Sequence, residues 1–183
     1  MKIKAKIIDE EGMARTITRL SHEILERNKG TKNIVLIGMR TRGEFLAERI
    51  GEKIKEIENI DDLDVGVLDV TLYRDDVRSK LKQPQVSVTE ITFDITEKDV
   101  VLIDDVLYTG RTARAALDAL MDLGRPRTIQ FCVLVDRGHR QLPIKADFVG
   151  KNIPTSINEE VKVKMKEIDE EDAVYLVDIS EEN

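Results

Sequence analysis

Residues 100–112, VVLIDDVLYTGRT, join an apolar run to two acidic residues and a Thr-Gly turn. The run DVVLIDD at 99–105 is short and apolar up to its acids, which is typical of a strand buried on both faces of a parallel sheet. The next stretch, TGRTARAALDALMDLG at 109–124, has helical periodicity, and TIQFCVLVD at 128–136 is again a short apolar run. A strand, a helix and a second strand in direct succession predict a parallel sheet.

The flanking sequence extends this unit into one α/β fold. Helices are predicted at 11–28 and 45–57, and the apolar run NIVLIGM at 33–39 lies between them as a further buried strand. The other extended segments are 4–9, 65–73, 90–95, 161–169 and 173–179, while 136–160 is rich in loop-forming residues. We therefore expect a single domain over 1–183, with an open, mainly parallel twisted sheet flanked by helices.

The composition limits the kinds of protein that this chain can be. With 183 residues, of which 41% are hydrophobic, it can bury one sizeable core. Its net charge of −7 argues against nonspecific nucleic-acid binding, so any RNA or DNA contact needs a local basic patch. The single Cys132 lies in an apolar run and is interpreted as a buried side chain. We see no signal peptide and no membrane-spanning run, and we expect a cytoplasmic protein.

The turn after the 99–105 strand has the chemistry of a phosphate site. Open parallel sheets bind ligands at the carboxyl ends of their strands, where a helix begins with unpaired N–H groups and the positive end of its dipole. Gly110 allows close approach of the backbone, while Thr109 and Thr112 add hydroxyl donors. The adjacent Asp104 and Asp105 can accept hydrogen bonds from two sugar hydroxyls and hold a hydrated Mg²⁺. The pattern predicts a site for a sugar phosphate.

An apolar strand, paired acids and a Thr-Gly loop in this order resemble the signature of the type I phosphoribosyltransferases. Receiver domains also carry paired acids at a strand end, but on their first strand, and acids that merely cap a strand would not require TGRT at this spacing. The resemblance implies that 5-phosphoribosyl-1-pyrophosphate (PRPP) binds with Mg²⁺, which Asp104 and Asp105 hold through water and PRPP. It assigns one continuous segment to PRPP: Asp104, Asp105, Val106, Leu107, Tyr108, Thr109, Gly110, Arg111 and Thr112.

Two further segments fit the same family. The segment 38–43, GMRTRG, resembles its pyrophosphate loop, which implies PRPP contacts for Arg40, Thr41 and Arg42 and makes Arg42 a catalytic residue together with Asp104 and Asp105. Taken alone, the same pattern would also suit a solvated turn. The charged connection 74–89 is interpreted as a lid or as a surface loop. The resemblance favours a hairpin lid over about 72–92 that carries Arg74 and Asp75 to the ligand.

Longer segments narrow the resemblance. TRLSHEILERNKG, MRTRGEFLAERI, DVTLYRDD, DDVLYTGRT and LVDRGHRQLPIKADFVGKNIPTS follow one another in this order. Together they closely resemble the bacterial regulators of pyrimidine-operon attenuation that are also uracil phosphoribosyltransferases. The resemblance implies a small hood over about 135–165, together with the N-terminal strand, that covers uracil and the nucleotides UMP and UTP. It places Val135, Arg137 and Val161 beside the nucleotide and implies a homodimer or homotetramer.

The resemblance also implies binding to a stem-loop in the leader messenger RNA of pyrimidine operons, promoted by uridine nucleotides. On the first predicted helix, Arg15, Thr18 and His22 lie at i, i+3 and i+7 with Arg19 beside them, which makes one face basic and hydroxyl-bearing. Without the resemblance, this stripe would be interpreted as a solvated helix face. The residues assigned to RNA are Arg15, Thr18, Arg19, His22, Arg140, Lys145 and Lys151. Some members carry Arg at position 145, where Lys keeps the charge and loses bidentate geometry.

Three functions stay open on the sequence alone. The first is a regulator that binds RNA and also transfers phosphoribosyl from PRPP to uracil, giving UMP and pyrophosphate without a protein nucleophile. The second is an RNA-binding regulator with vestigial catalysis, and the intact loops DDVLYTGRT and MRTRG speak against it. The third is a plain salvage phosphoribosyltransferase, against which the Thr18 and His22 face and the segment GKNIPTS speak.

Overall fold

The computed structural model describes residues 2–73 and 89–180. The helices are α1 (Glu10–Asn28), α2 (Arg42–Glu58), α3 (Arg111–Leu123) and the short α4 (Lys166–Asp169). The strands are β1 (Lys2–Ile8), β2 (Ile34–Met39), β3 (Val65–Leu68), β4 (Asp99–Leu107), β5 (Thr128–Asp136), β6 (Phe148–Asn152), β7 (Glu159–Lys164) and β8 (Ala173–Asp178). A 3-10 turn, Thr71–Tyr73, lies shortly after β3. The alternation of strands and helices confirms the predicted α/β class.

Five parallel strands form the central sheet, in the order β3-β2-β4-β5-β6. The apolar runs that predicted buried strands are the three central strands, and all six residues of β2 are buried. In the register of the sheet, Gly38 of β2 lies beside Ile103 of β4, and Leu107 of β4 lies beside Asp136 of β5. Because these neighbours are parallel, the carboxyl ends of β2, β4 and β5 meet at one edge of the sheet.

Helices cover both faces of this sheet, since successive residues of a strand point to opposite sides. On one face, Ile24 of α1 and Ile50 of α2 belong to a buried cluster with Leu36. On the other face, Ala116 of α3 belongs to a second cluster with Ile37. The open, mainly parallel sheet flanked by helices is therefore confirmed. Within residues 2–73 and 89–180, no helix combines the length and apolarity needed to cross a membrane.

A second, small sheet contains three antiparallel strands in the order β1-β8-β7. We call it the small sheet. It joins the first strand of the chain to the last two, because β8 pairs with β1 on one side and with β7 on the other. Val161 and Val163 of β7 and Val174 of β8 are buried in the same cluster as α1 and α2. Apolar packing thus fixes the small sheet to the body of the domain.

Two predicted strands are wrong in part. Residues 90–95 form a single bridge, between Glu90 and Val67, and no strand. Their apolar side chains are buried on the α3 side of the sheet although the backbone forms no β-ladder. Ile95 is 1% exposed, and Phe93 packs on the buried cluster that contains α3. The strand predicted at 161–169 ends at Lys164, and α4 follows it. The chain turns there because the carboxylates of Asp169 and Asp172 accept hydrogen bonds from backbone N–H groups of Met165 and Lys166.

The segment predicted as loop contains a strand, β6, at the edge of the central sheet. Gly150 is one of the loop-forming residues of the segment 136–160, but in the structure it lies inside β6 and allows close packing. A Cβ atom at this position would lie 2.4 Å from the carbonyl oxygen of Leu134 and 2.8 Å from Cγ2 of Thr16. The glycine therefore lets α1 and β5 approach this strand on both sides.

Candidate active site

The site lies at the sheet edge where β2, β4 and β5 end. The turn after β2 contains Arg40 and Thr41, the turn after β4 contains residues 108–110, and β5 runs into Arg137. Two cavities open there. The first, the phosphate cavity, has a volume of about 280 Å³ and is lined by Asp104 and by residues 106–113, with Phe131. The second, the hood cavity, has a volume of about 520 Å³ and lies between this edge and β7 of the small sheet.

The phosphate cavity is built around the first turn of α3. Gly110 occupies the N-cap position with φ of +91° and has no side chain to cap the helix, while Thr109 Oγ1 accepts one long hydrogen bond, at 3.4 Å, from the N–H of Arg111. The carbonyl of Thr109 accepts hydrogen bonds from the N–H groups of Gln141 and Leu142, at 2.9 and 3.1 Å, which fixes the turn against a neighbouring loop. Uncapped N–H groups at the positive end of a helix suit a phosphate.

Asp104 and Asp105 lie at the end of β4, where the two cavities approach each other. Asp104 lines the phosphate cavity and Asp105 lines the hood cavity. Burial raises the pKa of Asp105, while a hydrogen bond with Asp104, the N–H of Val106 and the charge of Arg42 oppose that shift. Among the described residues no group of three or more His, Cys, Asp or Glu side chains could hold a metal. Two carboxylates alone fit an ion that keeps water and substrate oxygens as its other ligands, as Mg²⁺ does.

Two glycines bring the N-terminus of α2 against the ends of β2 and β4. A Cβ atom on Gly38 would lie 2.4 Å from the carbonyl oxygen of Gly43, and a Cβ on Gly43 would lie 2.5 Å from that of Ile103. Thr41 is exposed, does not cap the helix through its side chain, and follows a cis peptide bond from Arg40. This close packing sets the loop that was predicted to bind pyrophosphate directly beside the paired aspartates.

Arg40 and Arg42 have different partners. Arg40 Nε lies 3.1 Å from Glu44 Oε2 outside hydrogen-bond geometry, and its Nη2 lies 3.3 Å from Glu90 Oε1. Burial raises the pKa of Glu44, against the charge of Arg40. Arg42 donates from Nε and Nη2 to both oxygens of Asp169 at 2.9 to 3.2 Å. Sequence reasoning missed Asp169, because it lies within an acidic run, KEIDEED, that suggests only a solvated surface.

The hood cavity is lined by Arg137 and Val161, which were predicted to lie beside the nucleotide, and also by Arg42 and Asp105. Arg137 is 7% exposed and donates from Nη2 to the carbonyl of Glu159, at 2.5 Å, and from Nε to Thr155 Oγ1. Its guanidinium carbon lies 4.0 Å from the centre of the Tyr108 ring. We call the turn 108–110 after β4 the phosphate loop. Arg137 therefore connects the small sheet to this loop through one buried cation.

Tyr108 and Val106 line both cavities, so the phosphate site and the hood site are adjacent at these two residues. Val135 lies elsewhere: it is fully buried in the core and lines neither cavity, so the structure does not support a side-chain contact with a nucleotide. Arg74 and Asp75 lie outside the described residues, as does most of the predicted lid. The exposed Arg111 donates from Nε to Gln141 Oε1 beside the phosphate cavity.

The predicted basic face is present on α1, where Arg15, Thr18, Arg19 and His22 line one shallow depression. Arg15 pairs with Glu11 at 3.2 Å and Arg19 with Glu23, and both pairs lie at the surface. Arg19 Nη2 also donates to the carbonyls of Val149 and Gly150, at 3.3 and 2.5 Å, which holds this guanidinium against β6. Lys145 and Lys151 are exposed.

The Arg140 side chain, like that of Arg19, is used within the protein, and it has more partners there. It donates to the carbonyls of Tyr108 and Ile144, at 2.7 and 2.9 Å, and to the Asp136 carboxylate. It therefore holds the phosphate loop, and the geometry does not favour the RNA contact that was predicted for it.

Comparisons with known proteins agree with this geometry. Residues 5–168 match the family described as phosphoribosyl transferase domain. The chain is 58% identical to "Bifunctional protein PyrR" of Pelotomaculum thermopropionicum over 97% of this chain and 98% of that one. It is 57% identical to the protein of the same name from Bacillus mycoides, over 97% and 99%. In fold it is similar to a hypoxanthine-guanine phosphoribosyltransferase of Bacillus anthracis, with a TM-score of 0.70, 21% identity and coverage of 97% and 99%.

Proposed function

This chain belongs to the phosphoribosyl transferase family and, within it, to the bifunctional PyrR proteins, and on that premise we propose that it is a uracil phosphoribosyltransferase that also regulates pyrimidine genes by binding RNA. The single observation that carries the enzymatic part is that the two cavities adjoin, since Val106 and Tyr108 line both of them. One ligand can place its phosphate at the first turn of α3 and its base beneath the small sheet. A nucleoside monophosphate such as UMP has this shape.

We propose a task for each group. The uncapped N–H groups of α3 and the hydroxyls of Thr109 and Thr112 bind the 5-phosphate, and Asp104 and Asp105 accept hydrogen bonds from the ribose hydroxyls. Uracil N1 displaces pyrophosphate from C1: the C1–O bond breaks, the C1–N bond forms, and the N1 proton is released to solvent. We assign the departing pyrophosphate to the turn that contains residues 40–42, where the positive charges of Arg40 and Arg42 stabilise it.

Mg²⁺ fits the paired aspartates: Asp104 and Asp105 would hold it through water and PRPP, and it would supply positive charge to the leaving pyrophosphate. Arg137 and Val161 line the place of the uracil ring. Arg74 and Asp75 complete the PRPP site from the predicted lid. These groups orient the reactants and exclude water, and they leave no need for a protein nucleophile.

The regulatory part rests on the exposed face of α1 and on two lysines. Arg15, Arg19 and Lys151 supply phosphate contacts, and Thr18 and His22 are placed to hydrogen-bond bases or 2′-hydroxyls of an unpaired RNA loop. Lys145 is exposed between Ile144 and Ala146, which pack with α3 on the other face of the central sheet. The ligand is a stem-loop in the leader of a pyrimidine-biosynthesis messenger RNA, bound more tightly when UMP or UTP occupies the nucleotide site, by a chain that forms dimers or tetramers.

The experiment pairs two assays on one preparation. Pyrophosphate release is measured with PRPP, uracil and Mg²⁺, and binding of a pyrimidine-leader stem-loop is measured with and without UMP. We expect turnover with uracil and tighter RNA binding when UMP is present. Turnover without RNA binding would identify a plain salvage enzyme, while RNA binding without turnover would mean that catalysis is vestigial.

A further inference from the structure

A groove of about 670 Å³ lies where three elements meet, and we call it the basic groove. Its walls come from β1, from α1 and from β6. The cations along it are Lys6 of β1, Arg15 and Arg19 of α1 and Lys151 of β6. Asp9 is the one acid among these described lining residues, and its carboxylate already accepts a hydrogen bond from the N–H of Gly12 at 2.8 Å. The groove is thus locally positive on a chain whose net charge is −7.

Three of these four cations belong to the RNA surface proposed above, whereas Lys6 comes from the small sheet. Lys6 is only weakly held by its neighbours on the small sheet, since its Nζ lies 3.9 Å from Glu171 Oε2 and 5.6 Å from the centre of the Tyr175 ring. Glu171 has closer partners in Lys164 Nζ, at 2.7 Å, and in the hydroxyl of Tyr175, at 2.9 Å. The Lys6 side chain is 44% exposed, and an exposed pair at this distance contributes little. The ammonium is therefore available to a phosphate that enters the groove.

The small sheet links this groove to the nucleotide site. Its β1 edge carries Lys6, and its β7 edge carries Val161 and Val163, which line the hood cavity. Between them β8 is hydrogen-bonded to both strands. A nucleotide in the hood cavity therefore contacts the same hydrogen-bonded sheet that carries Lys6.

We propose that RNA bound to this chain extends from α1 across the basic groove onto the small sheet, with Lys6 as a phosphate contact. This inference rests on the proposed RNA binding and deepens it, since it assigns one RNA contact to the sheet that also covers the nucleotide. RNA affinity then depends on the nucleotide because part of the RNA surface lies on the small sheet, which also lines the hood cavity.

The test measures the affinity of a labelled pyrimidine-leader hairpin RNA across a salt series, with and without UMP, for the wild type and Lys6→Gln. We expect the affinity of Lys6→Gln to fall about three- to ten-fold in the presence of UMP, and the slope of log affinity against log salt to decrease by about 0.7 to 0.9, the contribution of one phosphate contact. The loss is expected to be smaller without UMP. Lys6→Arg keeps the charge and is expected to retain most of the affinity.

Lys2→Gln is the matched control, because Lys2 is an exposed lysine of the same strand that does not line the groove. Equal losses in both glutamine variants would indicate a general charge effect and would overturn the proposal, as would an unchanged affinity and salt slope in Lys6→Gln. An equal loss with and without UMP would overturn the link to the nucleotide. Transfer of phosphoribosyl to uracil serves as the folding control and is expected to stay at the wild-type rate. If the wild type itself binds no hairpin, the proposed RNA role fails and this contact fails with it.

Discussion

Replacing Gly43 by Ala tests whether the contact between α2 and β4 builds the pyrophosphate side of the site. The new Cβ would lie 2.5 Å from the carbonyl oxygen of Ile103 and 3.2 Å from Cα of Asp104, both backbone atoms that cannot rotate away. The N-terminus of α2 must therefore retreat by most of an ångström. Overpacking of this kind costs about 1–3 kcal/mol of unfolding free energy, and the better helix propensity of Ala offsets up to about 1 kcal/mol of it.

The functional loss is expected to be larger than the loss of stability. Arg42 begins α2, so it moves with the helix away from the paired aspartates, and a displacement of about 1 Å can reduce the rate on the order of 100-fold. Gly51→Ala in the same helix is the control, since its Cβ would meet only side-chain methyl groups, at 3.0 Å from Val65 Cγ2. Urea unfolding and kcat/KM for PRPP are the measurements. If Gly43→Ala is as stable and as active as Gly51→Ala, the reasoning from this contact is wrong.

Two further predictions concern charges at the site. Burial raises the pKa of Asp105 above its ordinary 3.8, so this carboxyl takes up a proton at a higher pH than a solvated one. We therefore expect kcat/KM for PRPP to fall on the acid side at a pH above 3.8. The pH profile of Asp105→Asn should lack this acidic decrease. Burial alone would raise the pKa of Asp169, but the hydrogen bonds from Arg42 and from the N–H of Met165 outweigh burial and lower it. Asp169→Ala should therefore lose about 2 kcal/mol of unfolding free energy at neutral pH, and this loss should disappear as the pH falls through the lowered pKa. A pH-independent difference in urea unfolding would contradict this assignment.

Much of the fold could be predicted because the central strands carry an unambiguous signal. The runs that became β2, β4 and β5 are continuously apolar, and only burial on both faces of a parallel sheet accommodates such runs. The errors arose where the same residue types serve another purpose. Gly150 permits close packing inside a strand, and the apolar residues at 90–95 are buried without a ladder. Cys132 agreed with its interpretation, since it is 1% exposed and burial raises the pKa of its thiol.

The candidate site was predictable where one local segment supplies all of it. The aspartates, the Thr-Gly turn and the start of α3 are contiguous, so residues 104–112 could be assigned to one ligand from the sequence. Long-range partners could not be assigned in this way: Asp169 meets Arg42 across 127 positions of the chain, and nothing near Asp169 indicates an arginine. Arg140 has the charge expected of an RNA contact, and only the structure shows that it donates hydrogen bonds to the carbonyls of Tyr108 and Ile144.

The most direct test of the central claim is the choice of base. Product formation is measured by chromatography with PRPP and Mg²⁺ and either uracil or hypoxanthine, because hypoxanthine-guanine phosphoribosyltransferases share the fold at only 21% identity. A uracil phosphoribosyltransferase forms UMP and pyrophosphate in equal amounts and forms no IMP, and this is the result that we expect. Formation of IMP without UMP would mean that the hood cavity accepts a purine and would contradict the account.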